Sequence, residues 1–235
     1  MAESSPSIGV LDLQGGVQEH IEHLDAVGVN GCTVKEPGDF CGLDGLIIPG
    51  GESTCLARLL RIFHLEEPLL HYYRKGMKLW GTCAGAILLA KENVGEKPHL
   101  QLIDVSIRRN AFGSQLDSFN RTVSVPAVSD SPVPLTFIRA PQIERVGPNV
   151  TVLLQIDDYI AAAEDEQCLV TIFHPELTPS VAFHRHFAGK CGLETAATVQ
   201  ENNREEGSWT RQKWMQYGRI GRIQSVGRPH EPKSL

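Results

Sequence analysis

No apolar run in this 235-residue sequence approaches the ~18 residues of a membrane span, and the opening MAESSPS lacks the basic and apolar regions of a secretory leader. No C-x-x-C pair occurs among Cys32, Cys41, Cys55, Cys83, Cys168 and Cys191, so no zinc or redox framework is expected and no metal site. These absences predict a cytoplasmic protein whose thiols stay reduced. Positive charge is also scarce, with 22 Lys+Arg against 28 Asp+Glu and a net charge of −6. Six of the 22 sit at the end of the chain, where Arg211, Lys213, Arg219, Arg222, Arg228 and Lys233 face only Glu231. The residues before Ser208 are therefore more acidic than the whole, which argues against a nucleic-acid-binding surface there. Global disorder is excluded by the 41% hydrophobic and 21% charged fractions, and no internal repeat is visible.

Strand and helix signals alternate along the first half. Ile8-Gly-Val-Leu-Asp-Leu13 reads as a strand that ends at Gly15-Gly16, and Val17, Ile21, Leu24 and Val27 then recur at helical spacing. Cys32–Lys35 and Gly45–Ile48 read as further strands, the second stopped by Pro49-Gly50-Gly51. Ser53 or Thr54 is placed to cap a helix with Leu56, Leu59, Leu60 and Phe63 on one face. A helix from Glu66, a strand over Lys78–Thr82 and a helical run from Ala84 to Lys91 follow. The pattern predicts an α/β fold, an open and mostly parallel twisted sheet with helices on both faces. Short runs at 101–107, 121–125, 133–138, 151–156 and 167–173 predict antiparallel additions to that sheet, and a last helix is expected from Thr178 to Lys190. Residues 1–190 are expected to form one domain. Residues 191–235 would be a partly disordered extension with a candidate helix around Trp209–Tyr217.

Gly81-Thr-Cys83-Ala-Gly85 has the G-x-nucleophile-x-G form of a strand-to-helix elbow with cysteine as the nucleophile. Such a turn projects the side chain over a helix N-terminus, where the dipole favours a thiolate, and Ala84 N–H is placed to donate to an oxyanion. His174-Pro-Glu176 follows an apolar strand. Residues i and i+2 point to one side there, so an imidazole and its orienting carboxylate can address one site. His20, His23, His184 and His186 fall on helices and read as solvated helical faces rather than metal ligands. Pro49–Thr54 opens another helix from a strand end. It lacks the spacing and the lysine of a phosphate-binding loop, but its glycines bring bare amides close to a ligand and the helix terminus suits a carboxylate.

Taken together, these segments resemble the class I (triad) glutamine amidotransferases, and within them the glutaminase subunits of pyridoxal 5′-phosphate synthase. The resemblance spans about residues 8–190 and rests on Gly9–Gly15 with Glu19-His20, Pro49–Thr54, Gly81–Gly85, Arg109–Gly113 with Asp117–Phe119, Phe137–Pro141 and His174–Thr178. Asp12 and Ala86 stand where the family has, respectively, a small residue and a larger apolar one.

The resemblance implies that Cys83, His174 and Glu176 are the triad and that Gly51 and Ala84 give the oxyanion-hole amides. It implies that Gly51, Glu52, Ser53, Arg109, Ile138 and Arg139 bind L-glutamine, and that Gln14, Gly15 and Gly16 lie near the oxyanion site and a partner surface. The implied reaction is glutamine hydrolysis through a cysteinyl thioester with no cofactor. Ammonia would pass to a synthase subunit, twelve glutaminases decorating a dodecameric core. Neither nucleic acid nor membrane is an implied partner. Three other readings stay open on the residues: an amidotransferase of another pathway, a cysteine hydrolase or chaperone with the same elbow, and a non-catalytic binding subunit.

Overall fold

The computed structural model of the protein describes residues 7–109 and 119–196. Most of the expected C-terminal extension, with the candidate helix around Trp209–Tyr217, lies outside the described residues. So do residues 110–118 of the Arg109–Phe119 region.

The first half builds as its apolar periodicity requires. Strand β1 (Ser7–Leu11) leads to helix α1 (Val17–Ala26), followed by β2 (Asn30–Val34) and β3 (Gly45–Ile48). Helices α2 (Ser53–Ile62) and α3 (Glu66–Arg74) come next, then β4 (Lys78–Thr82) and α4 (Ala84–Leu89). Strands β1 and β3 are buried along their whole length, as continuous Val/Ile/Leu runs in a sheet covered on both faces must be. Asp12, the departure after β1, is satisfied by an ion pair to Lys35 at 3.0 Å.

The second half is strand-rich: β5 (Ala90–Asn93), β6 (Ile103–Arg108), β7 (Phe119–Val125), β8 (Ser129–Phe137), β9 (Gln142–Val146), β10 (Thr151–Ile156), β11 (Tyr159–Glu164) and β12 (Cys168–Thr171). Helix α5 (Ala182–Lys190) closes it. The main sheet runs β2-β1-β3-β4-β12-β11-β9-β6-β5, with β10 paired to β11. Strands β2, β1, β3, β4 and β12 are mutually parallel. Their carboxyl ends therefore open along one edge, where open α/β sheets place their sites.

Four expectations need correction. The run at 167–173 is no antiparallel addition: β12 lies parallel to β4 in the buried centre of the sheet. The runs at 121–125 and 133–138 leave the main sheet and pair only with each other, as the β7–β8 hairpin. The helix from Ala84 ends at Leu89 rather than Lys91, because the chain turns straight into β5. The last helix starts at Ala182, since a 3₁₀ turn over Pro175–Leu177 and then Pro179 hold Thr178 in an extended conformation.

The core is one continuous cluster in which Trp80 stacks on Phe183 and tilts against Phe187, and Phe183 meets Phe173 edge to face. Packing runs past Lys190. Leu193 N–H donates to the Ala188 carbonyl, and Ala196 N–H donates to that of Val27.

Candidate active site

Four loops converge at the shared carboxyl edge: Gln14–Gly16 after β1, Pro49–Glu52 after β3, Cys83 after β4 and His174–Glu176 after β12. Cys83 stands between β4 and α4 at φ 50° and ψ −106°, a left-handed conformation that a β-carbon resists. The flanking glycines make this turn fit. A Cβ on Gly85 would lie 2.0 Å from the Ile48 carbonyl oxygen, and one on Gly81 would lie 2.5 Å from the Gly85 backbone.

Glu176 is buried at 1% exposure, and its Oε1 lies 2.8 Å from His174 Nδ1. The His174 backbone is fixed from the other side, its N–H donating to the Thr136 carbonyl of β8 at 2.8 Å. Burial by itself would lower the His174 pKa. The charge of Glu176 and the charge and hydrogen bond of Cys83 overcome it and hold the imidazole well above its ordinary value. Burial likewise opposes ionisation of Glu176, yet the neighbouring His174 charge, with a smaller contribution from His20, brings its pKa down to about 2. The three groups thus form a cysteine–imidazole–carboxylate series with the His174 proton held on Nδ1 toward Glu176.

The cleft in front of Cys83 has a volume of about 450 Å³ and is walled by Gly51, Glu52, Ser53, Ala84, Arg109, Ile138, Arg139 and His174. Every residue read from the sequence as substrate-binding is on that wall, together with Ile87 and Pro141, which the sequence did not flag. Gly51 adopts φ 142°, open to glycine alone, and its loop is held by Gln14, whose Oε1 accepts from Glu52 N–H at 3.0 Å. Gln14 Nε2 donates to Cys55 Sγ at 3.0 Å, and a Cβ on Gly16 would meet Glu176 Cγ at 2.9 Å. The Gln14–Gly16 turn therefore braces the Gly51 loop and packs against the Glu176 side chain.

Helix α2 is capped by Glu52 rather than by Ser53 or Thr54. Its carboxylate accepts from Thr54 N–H at 3.1 Å and from Cys55 N–H at 2.7 Å. Ser53 is instead buried, and its hydroxyl has no hydrogen-bond partner among the described residues. Against a burial penalty, the two amides and the charge of Arg109 lower the Glu52 pKa. Arg109 reaches Glu52 at 2.9 Å, Glu96 at 2.8 Å and the Thr54 hydroxyl at 3.2 Å, so its guanidinium is held at the cleft mouth by two carboxylates.

The histidines depart most from expectation. His20, His23 and His184 are fully buried rather than solvated, and only His186 is partly open, paired with Glu164 at 3.0 Å. The signal was in the spacing, because His20 stands at i+3 from Val17 and i−4 from Leu24, on the apolar stripe of α1.

The comparisons agree with this geometry. The model of the SNO glutamine amidotransferase family matches residues 10–193. The pyridoxal 5′-phosphate synthase subunit PdxT of Syntrophus aciditrophicus (strain SB) is 59% identical over 210 residues, 89% of this chain and 93% of that one, a match that runs beyond Lys190. The PdxT subunit of Clostridium botulinum (strain Loch Maree / Type A3) is 46% identical over 185 residues, 78% of this chain and 96% of that one. A solved glutamine amidotransferase superposes with a TM-score of 0.74 at 39% identity, over 79% of this chain and 99% of the other. At 14% identity and a TM-score of 0.57, PurLQS from Thermotoga maritima (79% of this chain, 99% of that one) shares the fold alone.

Proposed function

The chain belongs to the SNO glutamine amidotransferase family, and on that premise we propose that it is the glutaminase subunit of a pyridoxal 5′-phosphate synthase. It hydrolyses L-glutamine to L-glutamate and passes the ammonia to a synthase subunit. The observation that carries this reading is the nucleophile elbow at Cys83, which lines one cleft with His174, an imidazole whose Nδ1 lies 2.8 Å from a buried carboxylate.

In the proposed mechanism the Cys83 thiolate adds to the carboxamide carbon of glutamine, forming the C–S bond. The oxyanion is taken by the N–H groups of Gly51 and Ala84. His174, protonated, gives its proton to the nitrogen as the C–N bond breaks and ammonia leaves. The neutral imidazole then takes a proton from water, whose oxygen attacks the thioester and expels the Cys83 thiolate. Glu176 holds His174 in the required tautomer throughout. Arg109 and Arg139 face the α-carboxylate, Glu52 the α-ammonium, and the unpartnered Ser53 hydroxyl is available to either group.

Ammonia is reactive only as the neutral base and is readily lost to water, so its transfer calls for a docked acceptor. We place the synthase against the Gln14–Gly16 side, in an assembly of twelve glutaminases on a dodecameric core, in the cytoplasm. The ties from Gln14 to the Gly51 loop support this, since contact on that turn bears directly on the oxyanion amides. The catalytic domain is assigned to residues 1–190 with its packed continuation to Ala196, and the residues beyond to an extension. Acid quenching during turnover with the synthase present tests the chemistry. A γ-glutamyl adduct is expected on the peptide that contains Cys83, and an adduct on another cysteine, or none, would sink the assignment.

A further inference from the structure

Behind the triad, away from the cleft, a line of buried histidines leads to the second oxygen of Glu176. Oε1 of that carboxylate is taken by His174, while Oε2 is buried and lacks a hydrogen-bonded partner among the described residues. The nearest group facing it is Nε2 of His20, at 3.5 Å and equally buried and unpartnered. His20 Nδ1 in turn lies 2.8 Å from His184 Nε2, and the His184 ring packs 4.6 Å from that of His23. His23 is held at 2.8 Å to the Glu19 carbonyl and 2.9 Å to that of Thr178. Trp80 meets the His20 and His184 rings edge-on, closing the cluster to water. Among the described residues no group has metal-binding geometry, so the cluster is not read as a metal site.

Hydrogen-bond inventory decides the tautomers. A neutral imidazole has one N–H and one bare nitrogen. If His20 carried its proton on Nδ1, a lone pair on Nε2 would face the Glu176 carboxylate across a dry gap, and Oε2 would keep no donor at all. With the proton on Nε2 a donor faces Oε2 at 3.5 Å, and bare Nδ1 accepts from His184 Nε2–H. Only the second arrangement gives Oε2 a donor.

We propose that His20 is a positioning residue: its Nε2–H holds Oε2 of Glu176, with His184 fixing its tautomer, so that Oε1 stays aligned on His174 Nδ1. This rests on Cys83, His174 and Glu176 acting as the triad. Burial keeps His20 neutral at pH 7, its pKa lowered to about 4 despite the attraction of Glu176, so it solvates the carboxylate as a dipole and does not compete with His174 for its charge. The groups around it are Glu176 and His174 from the loop after β12, His23 and Glu19 on its own helix, His184 on α5, and Cys83 beyond His174. The gap of 3.5 Å closes to a hydrogen bond with a small shift of either side chain, as catalytic contacts tighten when substrate is bound.

The tautomers can be read in the unmodified full chain by nitrogen NMR of ¹⁵N-labelled histidine at pH 7. Nε2–H on both His20 and His184 is expected, and an Nδ1–H tautomer or an imidazolium at His20 overturns the proposal. His20→Leu and His20→Gln are then assayed for glutaminase activity with the synthase subunit present. The leucine variant should lose about 10-fold in kcat with KM unchanged, a small part of the roughly 10²–10⁴ that a positioned acid–base group supplies. It should also move the pH profile of Cys83 alkylation, which reports His174. The glutamine variant, whose amide N–H can take the place of Nε2–H, should recover most of both. Equal losses in the two variants with an unmoved alkylation profile would mean a packing role only and would overturn the proposal, as would wild-type behaviour in both. Cys83→Ala, run beside them, separates this from failure of the triad itself: activity surviving there removes the parent reading.

Discussion

Cys83 is held at φ 50° with His174 and Glu176 behind it, and each of the three has a separable consequence. Replacing Glu176 by Gln removes the charge that holds the His174 proton, so kcat should fall on the order of 10²–10⁴-fold with little change in KM. Steady-state kinetics with the synthase present checks this. Stability should follow pH through the same groups. Glu176 is depressed from 4.5 to about 2, so the stability it adds is complete above pH 4.5 and is lost as the pH falls toward 2. His20 is depressed from 6.5 to about 4, so its contribution is lost earlier, between pH 6.5 and about 4. His174 is raised, so its contribution is full below pH 6.5 and fades as the pH climbs through its higher folded value. Thermal denaturation from pH 7 to 4 should therefore show a falling Tm in the wild type, and His20→Gln should flatten that fall. A parallel slope in the variant would remove His20 from the account.

The meeting of Cys83, His174 and Glu176 could be read because elbow and histidine each sit at a strand end with a distinctive spacing. His20 was legible only in part: its spacing sets it on the apolar stripe of α1, but the cover that α5 gives it is a tertiary contact that no local pattern announces. Arg109 was legible as a cleft residue, but its clamp by Glu96 depends on a contact 13 residues away in sequence that no local pattern announces.

Among the elements, the elbow has the least slack. The Gly85 position faces the Ile48 carbonyl, a backbone atom that cannot swing aside, so Gly85→Ala should destabilise by at least ~1–3 kcal/mol and misplace Cys83. Gly38→Ala, with nothing within 4 Å of its Cβ, should stay within about 0.5 kcal/mol and serves as the control in the same denaturant titration. At the start of α2, Glu52→Ala should cost about 1 kcal/mol as a lost cap and also raise KM by releasing Arg109, a pairing that simple capping would not produce.

Strands β1, β3 and β4 could be read because each is an apolar run ended by a glycine turn. Strands β5 (AKEN), β9 (QIERV) and β11 (YIAAAE) were not assigned: they carry charge or alanine in place of a β-branched alternation. They form because neighbours in the sheet pair with them, a tertiary effect outside any sequence window. The parallel setting of β12 is of the same kind, fixed by its place between β4 and β11.

At the scale of the whole molecule, the candidate site residues and every strand among the described residues lie before Ala196, whose amide ties to Val27. Truncation after Ala196 should therefore leave synthase-stimulated glutamine hydrolysis intact, and a loss of stimulation with unchanged folding would assign the extension to docking. No helix among the described residues is long and apolar enough to cross a membrane. The acidic balance and the α/β architecture were legible from composition and alternation. The partner was legible only through family resemblance, because a surface that meets another protein carries no periodic signature.

The measurement closest to the central claim is glutamate release from L-glutamine by the purified full chain, with and without the synthase subunit, for wild type and Cys83→Ala side by side. Rapid release is expected only from wild type with the synthase present, slow release from wild type alone, and none from Cys83→Ala in either case. Release by Cys83→Ala at the wild-type rate, or a wild-type rate indifferent to the synthase, would contradict it.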